Sequence, residues 1–394
     1  MSNRKLSLIP LAAALALSLS APTQACTSLT YTDANGSVYL GRTLELSADL
    51  PYQLLYVPAG HAFRSQVPGQ RALTYEAKYP LFGVTMPDRL PTADSPLGVG
   101  DLKLMEGFNN QGLTFSLLAY PSAAGPQDSV AMTRRVLSAL DLGSWILAQH
   151  ANVDEVKQAL TRQTVMLAPL AAIGGALPPF HYVVHDRGGA SIVIEFNKGQ
   201  MTVHDNPVGV MTNGPEFEWH LTNLNNYTFL SNLDQPTATF GDFTATQPDS
   251  GIATAGLPAS NTSVGRFVRA VYYSKFAEKV DDPDAAVITL GRIMNNFDRP
   301  KGITIDEREG GGEHMDLTAL VSDASQYSTE FTSWTNLTDL SRNRFHIRTY
   351  DSLNYTMIDL EQLSQTDGVR ILPLKRLDAS TPDGTSAVIA GMAP

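Results

Sequence analysis

The chain is predicted to be α+β, with antiparallel sheets carrying helices on their outer faces. Three observations predict it: hairpins come in runs, helices come in pairs between those runs, and the βαβ alternation of a doubly wound fold is missing. No glycine fingerprint follows a strand, so the pattern offers no nucleotide site.

The order begins outside the fold. Residues 1–25 read as a cleavable export signal: Arg4 and Lys5 give a basic start, Leu6 to Leu19 is apolar apart from serines and Pro10, and Thr23 and Ala25 put small residues where cleavage needs them. That apolar run is shorter than the roughly 20 residues a spanning helix requires. Cleavage after Ala25 makes Cys26 the first residue of an exported, periplasmic or secreted chain of 394 − 25 = 369 residues. Thr27 to Tyr31 then alternates, Asp33-Ala34-Asn35-Gly36 is a turn, and Ser37 to Leu44 resumes as a strand, so the cysteine opens a hairpin. Tyr52 to Val57 and Gly112 to Tyr120 are strands. The Pro- and Gly-containing stretch from His61 to Gly100 is predicted to be loop. Helical spacing runs from Ser129 to His150, and a second helix opens at Asn152 with Glu155 in a capping box. Phe180 to His185 and Ala190 to Phe196 flank the turn Asp186-Arg187-Gly188-Gly189, and Met201 to Val203 and Val208 to Thr212 continue the β pattern. Helices fit Val264 to Val280 and Pro283 to Asn296, and strands return at Phe331 to Leu337, Arg344 to Tyr350 and Tyr355 to Leu360.

Composition narrows the function classes. The formal charge of −11 becomes −11 − 2 = −13 once Arg4 and Lys5 are removed, which argues against nucleic acid or anionic membrane as partners. Charged residues are 17% of the chain with no like-charge block, so the mature chain is expected to fold throughout. The single cysteine forbids an internal disulfide and is a reactive thiol, a buried small hydrophobe or a lipid-anchor site. At position one it shares its residue with an α-amino group whose reference pKa is about 7.7 to 8.0, against about 8.5 for the thiol, so nucleophile and base arrive together. His181, His185 and His204 lack ligand-type spacing, and no metal or cofactor is expected. Gly310-Gly311-Gly312, flanked by Glu309 and Glu313, reads as a flexible loop whose acids would repel a phosphate.

Four segments carry a resemblance. They are Cys26-Thr27-Ser28 with Gly41-Arg42-Thr43-Leu44-Glu45; Glu106-Gly107-Phe108-Asn109-Asn110-Gln111-Gly112-Leu113; Gly209-Val210-Met211-Thr212-Asn213-Gly214-Pro215 with Trp219-His220 and Asn223-Leu224-Asn225; and Gly256-Leu257-Pro258 leading to Gly265-Arg266-Phe267. In order and spacing the chain, from Cys26 to about Tyr355, resembles the choloylglycine hydrolase family of bile salt hydrolases and penicillin V acylases. The resemblance implies a four-layer αββα sandwich of two antiparallel sheets, the fold of N-terminal nucleophile hydrolases, as one domain over residues 26–394.

It also implies roles. Cys26 matches the nucleophile, Arg42 an arginine beside the thiol, Asn213 the asparagine whose amide donates to the oxyanion, and Arg266 a second arginine near the cysteine. Without the resemblance Arg266 reads as the solvated face of a helix start and Asn213 as a turn residue, and the alternative for Arg42 is a surface arginine at the end of a strand. Glu45 stands where the family usually has an aspartate that orients the N-terminal amine. Ala119 aligns with an asparagine of bile salt hydrolases and a tyrosine of some penicillin V acylases, whose backbone N–H serves the oxyanion hole. Leu46 and Tyr120 are the candidate substrate-binding residues. The implied activity is a cofactor-independent hydrolase that cleaves small-molecule N-acyl amides through an acyl thioester. Penicillin V, conjugated bile salts and N-acyl homoserine lactones are the implied substrate types, and the missing asparagine at Ala119 favours penicillin V and the acyl lactones. The competing class is a non-catalytic exported binding protein anchored by lipid on Cys26. Family members are commonly homotetramers.

Overall fold

In a computed structural model, residues 25–92, 94–125, 135–307 and 327–392 are described. The expected export signal, except Ala25, and the expected Gly310-Gly311-Gly312 loop lie outside them. Strand β1 (Cys26–Thr32) returns as β2 (Val38–Leu46), with Cys26 opposite Leu44 and Ser28 opposite Arg42. The Asp33 carboxylate ties the turn by accepting from the N–H groups of Asn35 and Ser37 at 2.9 and 2.8 Å, and Gly36 supplies the left-handed residue at φ 85°.

Two large sheets carry the molecule. One has six strands in the order Val210–Met211, β1, β2, Phe331–Asp339, Arg344–Thr349 and Thr356–Asp359, antiparallel at every join. The other has eight, in the order Gln200–Asp205, Ser191–Asn197, Phe180–His185, Thr114–Ala119, Leu102–Asn109, Leu81–Pro87, Gln53–Val57 and Arg370–Pro373. Their inner faces meet in an apolar layer where Phe345 of the first packs against Phe82 and Phe108 of the second, with ring centroids 5.4 and 6.0 Å apart. Helices Ser263–Phe276 and Pro283–Met294 lie on the six-stranded sheet, and Leu142–Gln149 on the eight-stranded one. Two glycines let those outer layers approach. A Cβ on Gly41 would stand 2.6 Å from Met294 Sδ, and one on Gly143 2.5 Å from the Phe115 ring.

The stretch from His61 to Gly100 corrects the loop expectation. Ala62–Ser65 and Arg71–Glu76 pair as a hairpin, and Leu81–Pro87 is a fully buried central strand. Its Gly83 does not break the strand; it faces Gly107 across the ladder, where an added Cβ would meet Glu106 O at 2.2 Å. The expected helix from Ser129 is also shorter. Residues 126–134 are outside the description, Arg135–Ser138 is a strand parallel to Arg71–Glu76 and Val165–Met166, and helix begins only at Leu142. The helix at Asn152 forms as expected: the Asn152 side chain accepts from Glu155 N at 2.9 Å. Among the described residues no helix is long and apolar enough to cross a membrane.

Candidate active site

The start of β1, the end of β2 and the end of Thr114–Ala119 meet at one end of the sandwich, and this junction assembles the candidate residues. Cys26 is 2% exposed. Its sulfur lies 3.8 Å from Arg42 Nη2, and the Ala119 backbone acts on it to favour the thiolate. Burial pushes the thiol up; Arg42, foremost, and Arg266 oppose that, while Glu45 adds to it. Ala25 is still attached, so the Cys26 nitrogen is an amide standing in for the α-amino group of a processed chain. That N–H donates to Asn213 Oδ1 at 2.7 Å.

Arg42 points between the sheets because it alternates with Thr43 and Gly41 on β2. Its guanidinium is fully buried, donating to Met105 O at 2.8 Å, to Glu106 Oε2 at 3.3 Å and to Leu117 O, and it sits 5.0 Å over the Trp334 ring. A desolvated cation requires this much compensation.

Asn213 is the hub. Oδ1 accepts from Cys26 N and, at 2.7 Å, from Arg266 Nη2, while Nδ2 donates to Ala119 O at 2.8 Å. Its own backbone is fixed at both ends: N–H donates to Ser263 Oγ at 2.9 Å, and O accepts from His220 Nε2 at 2.9 Å. Arg266, one turn into its helix, also donates to Cys26 O and to Thr27 Oγ1 at 2.8 Å. Burial pulls Arg266 down to about 10, and Glu45 opposes that fall.

Glu45 is wholly buried on the helix-facing side of β2. The Cys26 N–H goes to Asn213, whereas Glu45 Oε1 accepts from Thr332 Oγ1 at 3.1 Å, and Thr332 in turn accepts from Arg299 N at 2.8 Å. The Glu45 backbone N–H donates to Ala25 O at 2.8 Å, extending the β1–β2 ladder by one residue. Burial pushes the carboxyl up against the opposing charges of Arg266 and Arg299. Leu46 and Tyr120 are both buried. Leu46 pairs with Phe331, and Tyr120 stacks on His181 at 4.8 Å and donates its hydroxyl to Asn197 Oδ1 at 2.6 Å, so its polar end is already occupied.

Of the three histidines weighed as ligands, His181 and His204 flank one carboxylate, Glu195, at 3.1 and 4.0 Å, and among the described residues no group of metal-ligating side chains forms. His181 bridges Glu195 Oε1 and Thr212 O at 3.1 and 2.9 Å, His204 meets Thr202 Oγ1 at 3.2 Å, and neither ring nitrogen of His185 has a partner. Sequence reasoning missed Glu106, Thr332, Trp334 and His220 as parts of the site. Glu106 had a signal, since a buried arginine requires a carboxylate and Glu106 stood unassigned in a motif. A cavity of about 380 Å³ is walled by Leu50, Tyr52, Phe331 and Leu374 together with the charged Asp49, Lys301, Asp351 and Lys375. Tyr52 links it to the site by standing edge-on to Trp334 at 6.2 Å. Together these groups can hold a nucleophile, a base on the same residue, and two donors converging where an oxyanion would form.

A family model described as linear amide C–N hydrolases, choloylglycine hydrolase family, matches residues 26–370. The bile salt hydrolase/transferase of Clostridium perfringens is 26% identical over 333 residues, 82% of this chain and 96% of that protein. Among solved structures, a conjugated bile acid hydrolase variant from Clostridium perfringens superposes with a TM-score of 0.71 at 23% identity, covering 88% of this chain and 96% of its own. Penicillin V acylase from Agrobacterium tumefaciens superposes at 0.70 with 20% identity, covering 94% and 98%. At these identities the superpositions establish the fold, the αββα sandwich of N-terminal nucleophile hydrolases.

Proposed function

Because the chain belongs to the choloylglycine hydrolase family of linear amide C–N hydrolases, we propose that Cys26 is its nucleophile and acts only after cleavage of the Ala25–Cys26 bond. The observation that carries this reading is the convergence on one cysteine of Ala119 N–H, Arg42 and, at its nitrogen, Asn213 Oδ1. The freed α-amine takes the thiol proton, and sulfur attacks the amide carbonyl. The oxyanion is held by Ala119 N–H and by the second hydrogen of Asn213 Nδ2, the first being spent on Ala119 O. Collapse breaks C–N, the α-ammonium proton leaves with the amine, and water then cleaves the thioester by the same route in reverse.

The buried cations Arg42, Arg266 and Arg299 stand beside the carboxyls of Glu106, Glu45 and Glu330, with Arg299 Nη1 bonded to Glu330. Burial pushes all three carboxyls up, Glu106 and Glu330 to about 7.

For substrate we infer N-acyl amides with an apolar acyl group, phenoxyacetyl or medium-to-long aliphatic, because Ala119 brings no polar side chain beside Cys26. Conjugated bile salts are the second reading, favoured by the bile salt hydrolase relative. Residues 1–25 act as an export signal in this reading. The hairpin Thr237–Phe240 and Phe243–Thr246, exposed along nearly its whole length with Phe240 69% and Phe243 67% exposed, is assigned to contact with a second copy. A lone two-stranded hairpin is marginal in water and gains from such cover.

The experiment compares the processed chain, Cys26→Ser, and a form retaining one extra residue before Cys26 on penicillin V, conjugated bile salts and graded N-acyl homoserine lactones. Only the processed form should turn over, with kcat/KM highest for aryloxyacetyl or aliphatic acyl groups. Appreciable activity in the extended form rejects the mechanism, and a bile salt preference rejects the substrate assignment alone. Intact mass of the mature N-terminus distinguishes the enzyme, with its free cysteine, from a lipid-anchored binding protein.

A further inference from the structure

Arg42 has four partners and only two can carry negative charge. Met105 O and Leu117 O are neutral carbonyls that orient the guanidinium; the others are Glu106 Oε2 at 3.3 Å and Cys26 Sγ at 3.8 Å. All three ionisable groups are out of water, so neither anion can recruit solvent or salt to replace the cation. Glu106 is incompletely satisfied in its own right. Its Oε1 makes no hydrogen bond, although Ser116 and Asn336 lie beside the carboxyl.

We propose that Glu106 is a positioning residue that competes with the Cys26 sulfur for the one cation Arg42, so that its carboxylate holds the thiol protonated at rest. Two acids flanking one buried cation titrate as a coupled pair, the ionisation of either opposing the other. The remaining charges near the sulfur do not remove this competition. Arg266 is matched by Glu45 on the helix side of β2, the Tyr52 hydroxyl is neutral with burial pushing it further up, and the α-amino group of the processed chain is the proton acceptor itself. A resting thiol suits the chemistry, because its proton must be present to reach the α-amine and then the departing nitrogen.

The sign of one measurement decides between this role and simple scaffolding. If Glu106 only anchored Arg42, its loss would loosen the guanidinium and make the sulfur harder to ionise, as Arg42→Ala should. Under competition, Glu106→Gln releases Arg42 to the sulfur and makes it easier. The test is the rate of iodoacetamide alkylation against pH on the processed protein. Burial pushes Glu106 up to about 7, so the competition acts above that pH; there Glu106→Gln should move the profile down by about one pH unit and raise the rate near pH 8 about tenfold, whereas Arg42→Ala should move it up. Glu106→Asp, which draws the carboxylate back by about an ångström, should move it the same way by less and serves where the glutamine variant does not fold. A profile unchanged or displaced to higher pH in either variant overturns the proposal. The inference rests on Cys26 being the nucleophile, but alkylation reads the sulfur and not amide turnover. A downward shift in a protein that hydrolyses none of the offered amides would therefore count against the proposed function and leave this one standing.

Discussion

The two faces of the Asn213 side chain do different work, and two substitutions separate them. Oδ1 holds Cys26 N and Arg266, while Nδ2 has one hydrogen free toward the oxyanion. Asn213→Ala should lower kcat by roughly 100- to 1,000-fold with little change in KM. Asn213→Asp keeps the acceptor and removes the donor, and should fall as far; steady-state kinetics showing near-native kcat in the aspartate variant would rule out the donor role. At this scale the resemblance singled out Cys26, Arg42, Asn213 and Arg266, and the structure brings the four together. Thr332 was not legible as a site residue, since what it does is defined by a distant partner, while Glu106 and His220 stood in the motifs without an assigned role. Thr332 meets Glu45 across 287 residues of chain, a pairing that only the register between β2 and Phe331–Asp339 creates. Tyr120 was read as substrate-facing from its place beside Ala119, but alternation along the strand end turns its hydroxyl to Asn197.

Among elements, the hairpins and helices with clean periodicity were readable and the punctuated ones were not. Asn152 and Glu155 announced a helix and delivered it, with Glu155 Oε2 also accepting from Ala151 N at 2.8 Å. Leu81–Pro87 was hidden because Pro80, Gly83 and Pro87 read as breaks, although Gly83 is there for close strand approach and Pro87 ends the strand. The hairpin with Phe240 and Phe243 was hidden for the opposite reason: its residues face solvent, so burial gave no pattern. If it contacts a second copy, Phe240→Ser with Phe243→Ser should convert an oligomer to monomer. Light scattering coupled to size exclusion reads this directly, and a native-like mass in the double variant removes the hairpin from the interface.

For the whole molecule, the layered arrangement puts histidines where protons are unwelcome. Burial pulls His185 down to about 3 and His220 and His346 to about 4, from an ordinary value near 6.5. An unfolded chain would protonate them below pH 6.5 while the folded one would not, so the stability they contribute is present above 6.5 and lost as pH falls toward 4. For His185 alone the loss at pH 4 is on the order of 3 kcal/mol. Glu330, which burial pushes up to about 7, works the other way between pH 7 and its ordinary range, so the net slope belongs to the mixture. Denaturant unfolding of wild type and His185→Leu at pH 7 and pH 4.5 isolates the histidine. The variant should lose less stability on acidification, and equal losses would mean that His185 takes up no proton on unfolding. The αββα layering itself was legible from the order of hairpins and helix pairs, because that order follows from which faces must be covered.

The bond from Glu45 N–H to Ala25 O has a consequence in time rather than space. While Ala25 remains, the ladder is complete and the Cys26 nitrogen is an amide without basicity. On the proposed mechanism a single cut creates the base and releases a backbone donor in the same event, so the working life of each molecule is dated from its maturation, a step that runs once and does not reverse.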